Sequence, residues 1–209
     1  MTIGWNVLGI VAWLLIVLYL VFIIQNIRSR HLVMIVRDRK RFDWKTILVD
    51  VLEIALLILA GGYMLFLTFF NNPSLDDKKV ISSEIDYQPL ILTTGNKRSY
   101  YVTAESNNTT SSVQTYKFYS NGNSYLVSSN NATVSDSKDP MSVEASAIPF
   151  SKKELLKADA HYQNAYVATY TATYKRTWFN GLGLHSGRQA AKYYLIRVPD
   201  RTFVKEKRN

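Results

Sequence analysis

Three histidines, His31, His161 and His185, and no cysteine are what this sequence offers for acid–base, nucleophilic or metal chemistry. Without thiols there is no disulfide, no thiolate zinc site and no cysteine nucleophile. A serine hydrolase would have to draft Ser186 with His161 and Asp159. No nucleophile elbow surrounds that serine, and adjacency in sequence is not triad geometry. Gly181 to Gly187 (GLGLHSG) has the glycine content of a phosphate-binding loop, but it links two predicted strands and opens no helix. It is predicted to be a flexible hairpin loop. Asp136 and Asp139 share a loop without the EF-hand pattern. The residues therefore argue against an enzyme, and they assign no catalytic residue, metal ligand or cofactor.

Two acids stand where acids are costly. Asp50 and Glu53 lie near the start of the apolar segment Ile47 to Phe70, three residues apart and so on one helix face. Acids inside a membrane segment suggest pairing with a partner or proton transfer. They would also complement the positive N-terminal end of their own helix, with Lys45 or the Tyr19 hydroxyl as partners. Small residues offer a packing seam: Gly9 and Ala12 in the first segment, Gly61 and Gly62 in the second.

The elements that would position these residues are two membrane spans. No charged side chain occurs from Met1 to Ile27, and Trp5 to Ile24 is an almost unbroken apolar run of the length a bilayer core requires. A basic n-region and a small-residue cleavage site are both lacking, so this segment reads as a span and not as a signal peptide. The second span is predicted at 47–70, with Asp43 as its N-cap. Between them lie seven cations and two acids, the cations being Arg28, Arg30, Arg37, Arg39, Lys40, Arg41 and Lys45. By the positive-inside rule the 25–46 loop is cytoplasmic and both termini are outside. His31 to Val36 (HLVMIV) is predicted to lie along the inner interface.

After Asn71, Asn72 and Pro73 the composition turns to Ser, Thr, Asn and Tyr, marking the boundary between a hairpin at 1–70 and an extracytoplasmic domain at 71–209. Asn121-Gly122 between two alternating runs predicts a hairpin with Phe118 opposite Tyr125 and Tyr116 opposite Val127. Further strands are expected at 89–93, 99–104, 142–148, 166–179 and 191–198. Residues 106–112 and 128–140 are expected as loops. Ser151 to Glu154 reads as a capping box, with Phe150 and Leu155 as the staple of a helix over 152–161. The fold class is thus a membrane α-helical hairpin plus a mainly antiparallel β domain, sandwich or half-barrel, with one short helix. The stripe Tyr166, Tyr170, Tyr174 and Trp178 could stack on sugars, although such stripes are more often core. The basic tail of Arg201, Lys205, Lys207 and Arg208 suits anionic lipid or wall polymer, or else is a frayed terminus. The strongest basic cluster sets topology, so nucleic-acid binding has no support.

The opening MTIGWNVLGIVAWLLIVLYLVFII, the loop with RDRKRFDW and the late TYKRTWFNGLGL together resemble small uncharacterised two-span membrane proteins of lactobacilli and related low-GC Gram-positive bacteria. The resemblance implies a plasma membrane and carries no activity onto any residue. The expected function is a membrane-anchored, non-enzymatic envelope module whose partners are the bilayer and a membrane protein or anionic wall polymer. The alternatives are an accessory or sensory subunit of a membrane complex and, less favoured, an extracytoplasmic hydrolase.

Overall fold

The computed structural model describes residues 4–36, 43–95, 98–106, 113–142 and 145–208. Arg37, Arg39, Lys40 and Arg41 lie outside the described residues. The chain divides into two compact units: unit 1 is 1–74 with 174–188, and unit 2 is 75–173 with 189–209.

Unit 1 is built on two helices long and apolar enough to cross a membrane. Helix α1 is Asn6–Val36, 31 residues, or about 46 Å at 1.5 Å per residue. It does not stop where the charges begin. HLVMIV is its last turn and a half, because nothing there breaks a helix, so this stretch is helical and not part of the expected loop. Helix α2 is Trp44–Leu65, continued by a π-helical turn over Phe66–Phe70. Asp43 is its N-cap, accepting from the Thr46 N–H at 3.2 Å and the Thr46 hydroxyl at 2.9 Å. Apolar side chains are exposed along both helices, Leu15 at 59 % and Leu59 at 70 % among them, which an aqueous surface would not favour. The remaining piece of unit 1 is a short helix, α4, Trp178–Leu182.

Unit 2 is mainly β. Its strands are β1 (Ile81–Pro89), β2 (Thr93–Thr94), β3 (Ser99–Tyr100), β4 (Val102–Ser106), β5 (Gln114–Ser120), β6 (Asn123–Ser128), β7 (Ala132–Ser135), β8 (Tyr166–Tyr174), β9 (Gln189–Arg197) and β10 (Val204–Arg208). One sheet has the order β1-β8-β9-β7, a second β10-β4-β5-β6, and β2 pairs with β3 alone. The Asn-Gly hairpin has the expected register, Phe118 against Tyr125 and Tyr116 against Val127. Its turn residues Asn121 and Gly122 both have positive φ (46° and 77°), the conformation such a turn requires.

The sheets are mixed: β2-β3, β4-β5, β5-β6 and β8-β9 are antiparallel, as the mainly antiparallel expectation has it, but two pairings are not. β7 runs parallel to β9 and β10 parallel to β4. Alternation in sequence shows which face a residue takes but not the direction of its neighbour strand. Three local expectations also change. Residues 132–135 of the expected loop form β7, the expected 142–148 strand contains a 3-10 turn at Ala145–Ala147, and the 166–179 strand ends at Tyr174.

Strand β8 divides the core by parity. Tyr166, Ala168, Tyr170 and Ala172 pack with Phe150, Leu155 and Ala158 around helix α3 (Lys152–Tyr162). Val167 faces the other way and joins Ile196 and Val198 against Phe118, Val102 and Leu90 of the second sheet, so the two large sheets share one core as a sandwich. Ser151 stands at the N-cap of α3 without a side-chain cap bond, while Phe150 and Leu155 are both buried in its core.

Candidate functional site

The acids of α2 find their partner inside the chain. One Arg30 amine lies 2.8 Å from Asp50 Oδ1 and 2.5 Å from Glu53 Oε2. Asn26 donates its side-chain N–H to Glu53 Oε1 at 3.0 Å, and His31 Nε2 stands 3.0 Å from Asp50 Oδ2. The Tyr19 hydroxyl reaches the Glu53 carbonyl at 3.5 Å. These contacts exist because α1 continues about two and a half turns beyond its charge-free stretch, to Val36. Sequence reasoning placed Arg30 in a loop and so missed it as the partner, naming Lys45 or the Tyr19 hydroxyl instead; the latter reaches only the Glu53 backbone. Arg30 is thus the guanidinium that both carboxylates share, with His31 at the edge of the cluster.

The small residues do not form the expected seam between α1 and α2. Side chains added at Gly61 or Gly62 would meet nothing within 4 Å. Gly9 is buried, but against the 174–188 segment: a Cβ there would lie 2.6 Å from the Gly181 carbonyl and 2.7 Å from that of Leu182. Ala12 is partly buried on α1.

That segment is also a correction to the flexible-loop reading of 181–187. Thr177 caps α4 by accepting from the Asn180 N–H at 3.4 Å, and the Asn180 side chain donates to the Lys175 carbonyl at 2.8 Å. Asn6 of α1 makes two bonds with Ser186, one in each direction, both 3.0 Å. The signal in the sequence was the glycine spacing, which marks close backbone approach as readily as flexibility.

No hydrolase site assembles from the candidate residues. Both oxygens of Asp159 are taken by the Arg197 guanidinium, at 2.9 and 3.1 Å, and Oδ1 also accepts from Tyr166 at 3.1 Å. His161 packs edge-on against Tyr162 and His185 stacks on Tyr174 at 4.9 Å. Among the described residues neither has a carboxylate or serine hydroxyl at hydrogen-bond distance.

The aromatic stripe divides. Tyr166 and Tyr170 are fully buried, so they are core and not a sugar platform; burial, and for Tyr166 the Asp159 carboxylate, pushes both phenols above their ordinary pKa. Tyr174 is half-buried under His185, and Trp178 lies beyond the strand on α4, 58 % exposed. The basic tail is not frayed. As β10 it pairs with β4 from Val204 to Arg208, Lys207 meets Glu105 at 3.5 Å, and Arg201 meets Glu206 at 3.1 Å.

Two open clefts of unit 2 differ in charge. One, about 440 Å³, is lined by Arg98, Ser99, Tyr100, Thr202, Lys205 and Glu206, with the Lys205 ammonium 5.0 Å from the centre of the Tyr100 ring. Since Glu206 is already paired with Arg201, the cations of this cleft are in excess. The other, about 280 Å³, sets Glu84, Asp86 and Gln88 of β1 across from Tyr125, Lys192 and Tyr194. Its carboxylates outnumber its single cation.

No curated protein and no solved structure matches the chain. A "-like" protein family named after a lactobacillus locus has a model that matches residues 4–205, both helices and the β-rich region together, and the chain belongs to that family.

Proposed function

We propose that this chain is a plasma-membrane protein of a Gram-positive bacterium, with α1 and α2 as spans and both termini outside, whose β unit binds an anionic envelope polymer without catalysis. The observation that carries the binding role is the cleft holding Arg98, Lys205 and the Tyr100 ring. Two cations beside an aromatic face suit a repeating polymer of phosphate and polyol: charge holds the phosphates, and the ring covers the apolar side of the polyol. The membrane reading is supported by the length and exposure of the helices, by the cations between them and by a family named after a lactobacillus locus. A role as accessory or sensory subunit has less to rest on, since Asp50 and Glu53 are already paired with Arg30.

Two measurements test this reading on the full chain in lipid nanodiscs or cells. Binding of purified phosphodiester-linked wall polymer should fall roughly tenfold or more in the double variant Arg98→Glu, Lys205→Glu, and should weaken with salt, because two surface cation–anion contacts of about 1 kcal/mol each are reversed. Equal binding of a neutral glycan, or indifference to the double variant, would end the polymer reading. Because the chain has no cysteine, Asn130→Cys and Arg39→Cys report topology cleanly. An impermeant thiol reagent applied to intact cells should label the first and spare the second.

A further inference from the structure

We infer that residues 178–184 are a third membrane-contacting element, seated in the headgroup region of the outer leaflet between the ends of the two helices. The inference rests on the proposed membrane reading of α1 and α2, and adds to it a part of the chain that hydropathy alone does not mark.

Depth is the first argument. A Cβ on Gly181 would fall 2.2 Å from the Trp5 carbonyl oxygen, and one on Gly9 would fall 2.6 Å from the Gly181 carbonyl. The segment therefore lies against α1 over one turn, about 6 Å of helix axis, below the helix start. On its other side a Cβ on Gly183 would be 2.7 Å from the Leu67 carbonyl, three residues before the helical end at Phe70. Backbone meets backbone on both helices, which only glycine permits, and the contact sits about one turn inside each end. In a membrane-spanning pair that depth is the headgroup and upper acyl zone.

Chemistry of the exposed face is the second argument. Trp178 is 58 % exposed although the segment that carries it is tightly held. Trp5, Phe69 and Phe70, from the same ends of α1 and α2, are likewise exposed at 47 %, 67 % and 72 %. Arg176 and Arg188, both exposed, flank the segment. Tryptophan with neighbouring arginines is what the interface favours: an indole among carbonyls and chain ends, and guanidinium groups at phosphate level. A water-facing surface would leave this aromatic cluster uncovered.

The test is quenching of a fluorophore by nitroxide lipids, in the full chain in nanodiscs. Three single-cysteine variants of the cysteine-free chain carry the label: Trp178→Cys, Leu15→Cys in the middle of α1, and Asn130→Cys on unit 2. The label at 178 should be quenched at least threefold more by a nitroxide near the headgroup than by one deep in the acyl chains. The label at 15 should show the reverse order, and the label at 130 should respond to neither. Indifference to both lipids at position 178, with position 15 quenched by the deep probe, overturns this inference and leaves the spans standing. Indifference at position 15 overturns the membrane reading and this inference with it. A Trp178→Phe variant labelled at Leu182→Cys repeats the measurement if the label at 178 disturbs folding, with the same two outcomes.

Discussion

Two arginines in this chain solve the same problem unequally. In unit 2 Arg197 is 1 % exposed, and its three nitrogens are all used: Nε and Nη2 on Asp159, Nη1 on the Ser135 hydroxyl at 2.8 Å and on the Ser137 carbonyl at 3.0 Å. In unit 1 Arg30 serves two carboxylates from one nitrogen, and its Nε is buried with no hydrogen-bond partner among the described residues. The first is a closed set of bonds around a single charge pair. The second is an open set, with one guanidinium between two carboxylates and a histidine at its edge. A buried pair that is fully satisfied is hard to alter without loss, whereas a partly satisfied one has room to rearrange.

Breaking the closed set should have the largest effect. Arg197→Ala leaves Asp159 and the Ser135 and Ser137 acceptors without their donor, and should cost about 3–5 kcal/mol in chemical unfolding of unit 2. If the loss is under about 1 kcal/mol, the pair is not the fixed point its geometry implies. Breaking the open set should cost less. Arg30→Leu should destabilise by about 2 kcal/mol, since water can still reach a cluster whose arginine side chain is 25 % exposed. The triple variant Arg30→Leu, Asp50→Leu, Glu53→Leu should return to within about 1 kcal/mol of the parent, because removing all charges leaves none unpaired. A detergent-denaturant titration of helix pairing would show both values, and a triple variant worse than the single one would reverse the contrast.

Alkaline pH should sharpen it further. Burial raises the pKa of Tyr87, Tyr166 and Tyr170, all in unit 2. Each phenol keeps its proton in the folded state at a pH where the unfolded chain has lost it. Their contribution is therefore complete below pH about 10 and lost as pH rises from there towards the raised values, at about 1.4 kcal/mol per pH unit per tyrosine. Unit 2 should melt progressively lower above pH 10, and Tyr166→Phe should reduce that slope. An unchanged slope would remove Tyr166 from the account.

Local rules read much of this fold correctly. Asp43, the Asn121-Gly122 turn and the Phe150–Leu155 staple each depend on residues a few positions apart, and each stands where expected. What sequence could not supply is pairing at long range. Arg30 meets Asp50 across a connection, Arg197 meets Asp159 across strand β8 and helix α4, and β10 meets β4 from about a hundred residues away. The 166–179 aromatic stripe shows the same limit from another side. Its alternation correctly put Tyr166 and Tyr170 on one face, but only the packing of α3 decides that this face is the inside. The site residues were legible as types and not as partners.

The 174–188 segment bears on how unit 2 could be obtained in solution. A cut at the Asn71–Ser74 bend removes both helices yet leaves behind a stretch whose glycine backbone packs against them. Such a protein would carry an uncovered flap between its two central strands. Tyr174 and Arg188 offer a cleaner excision, since the Tyr174 N–H bonds the Arg188 carbonyl at 2.9 Å and the Gly187 N–H bonds the Tyr174 carbonyl at 3.0 Å. The chain is already pinched there. Replacing 175–187 by Asn-Gly would close β8 and β9 with a two-residue turn, and would give polymer-binding assays a β sandwich free of the segment that packs on the two apolar helices.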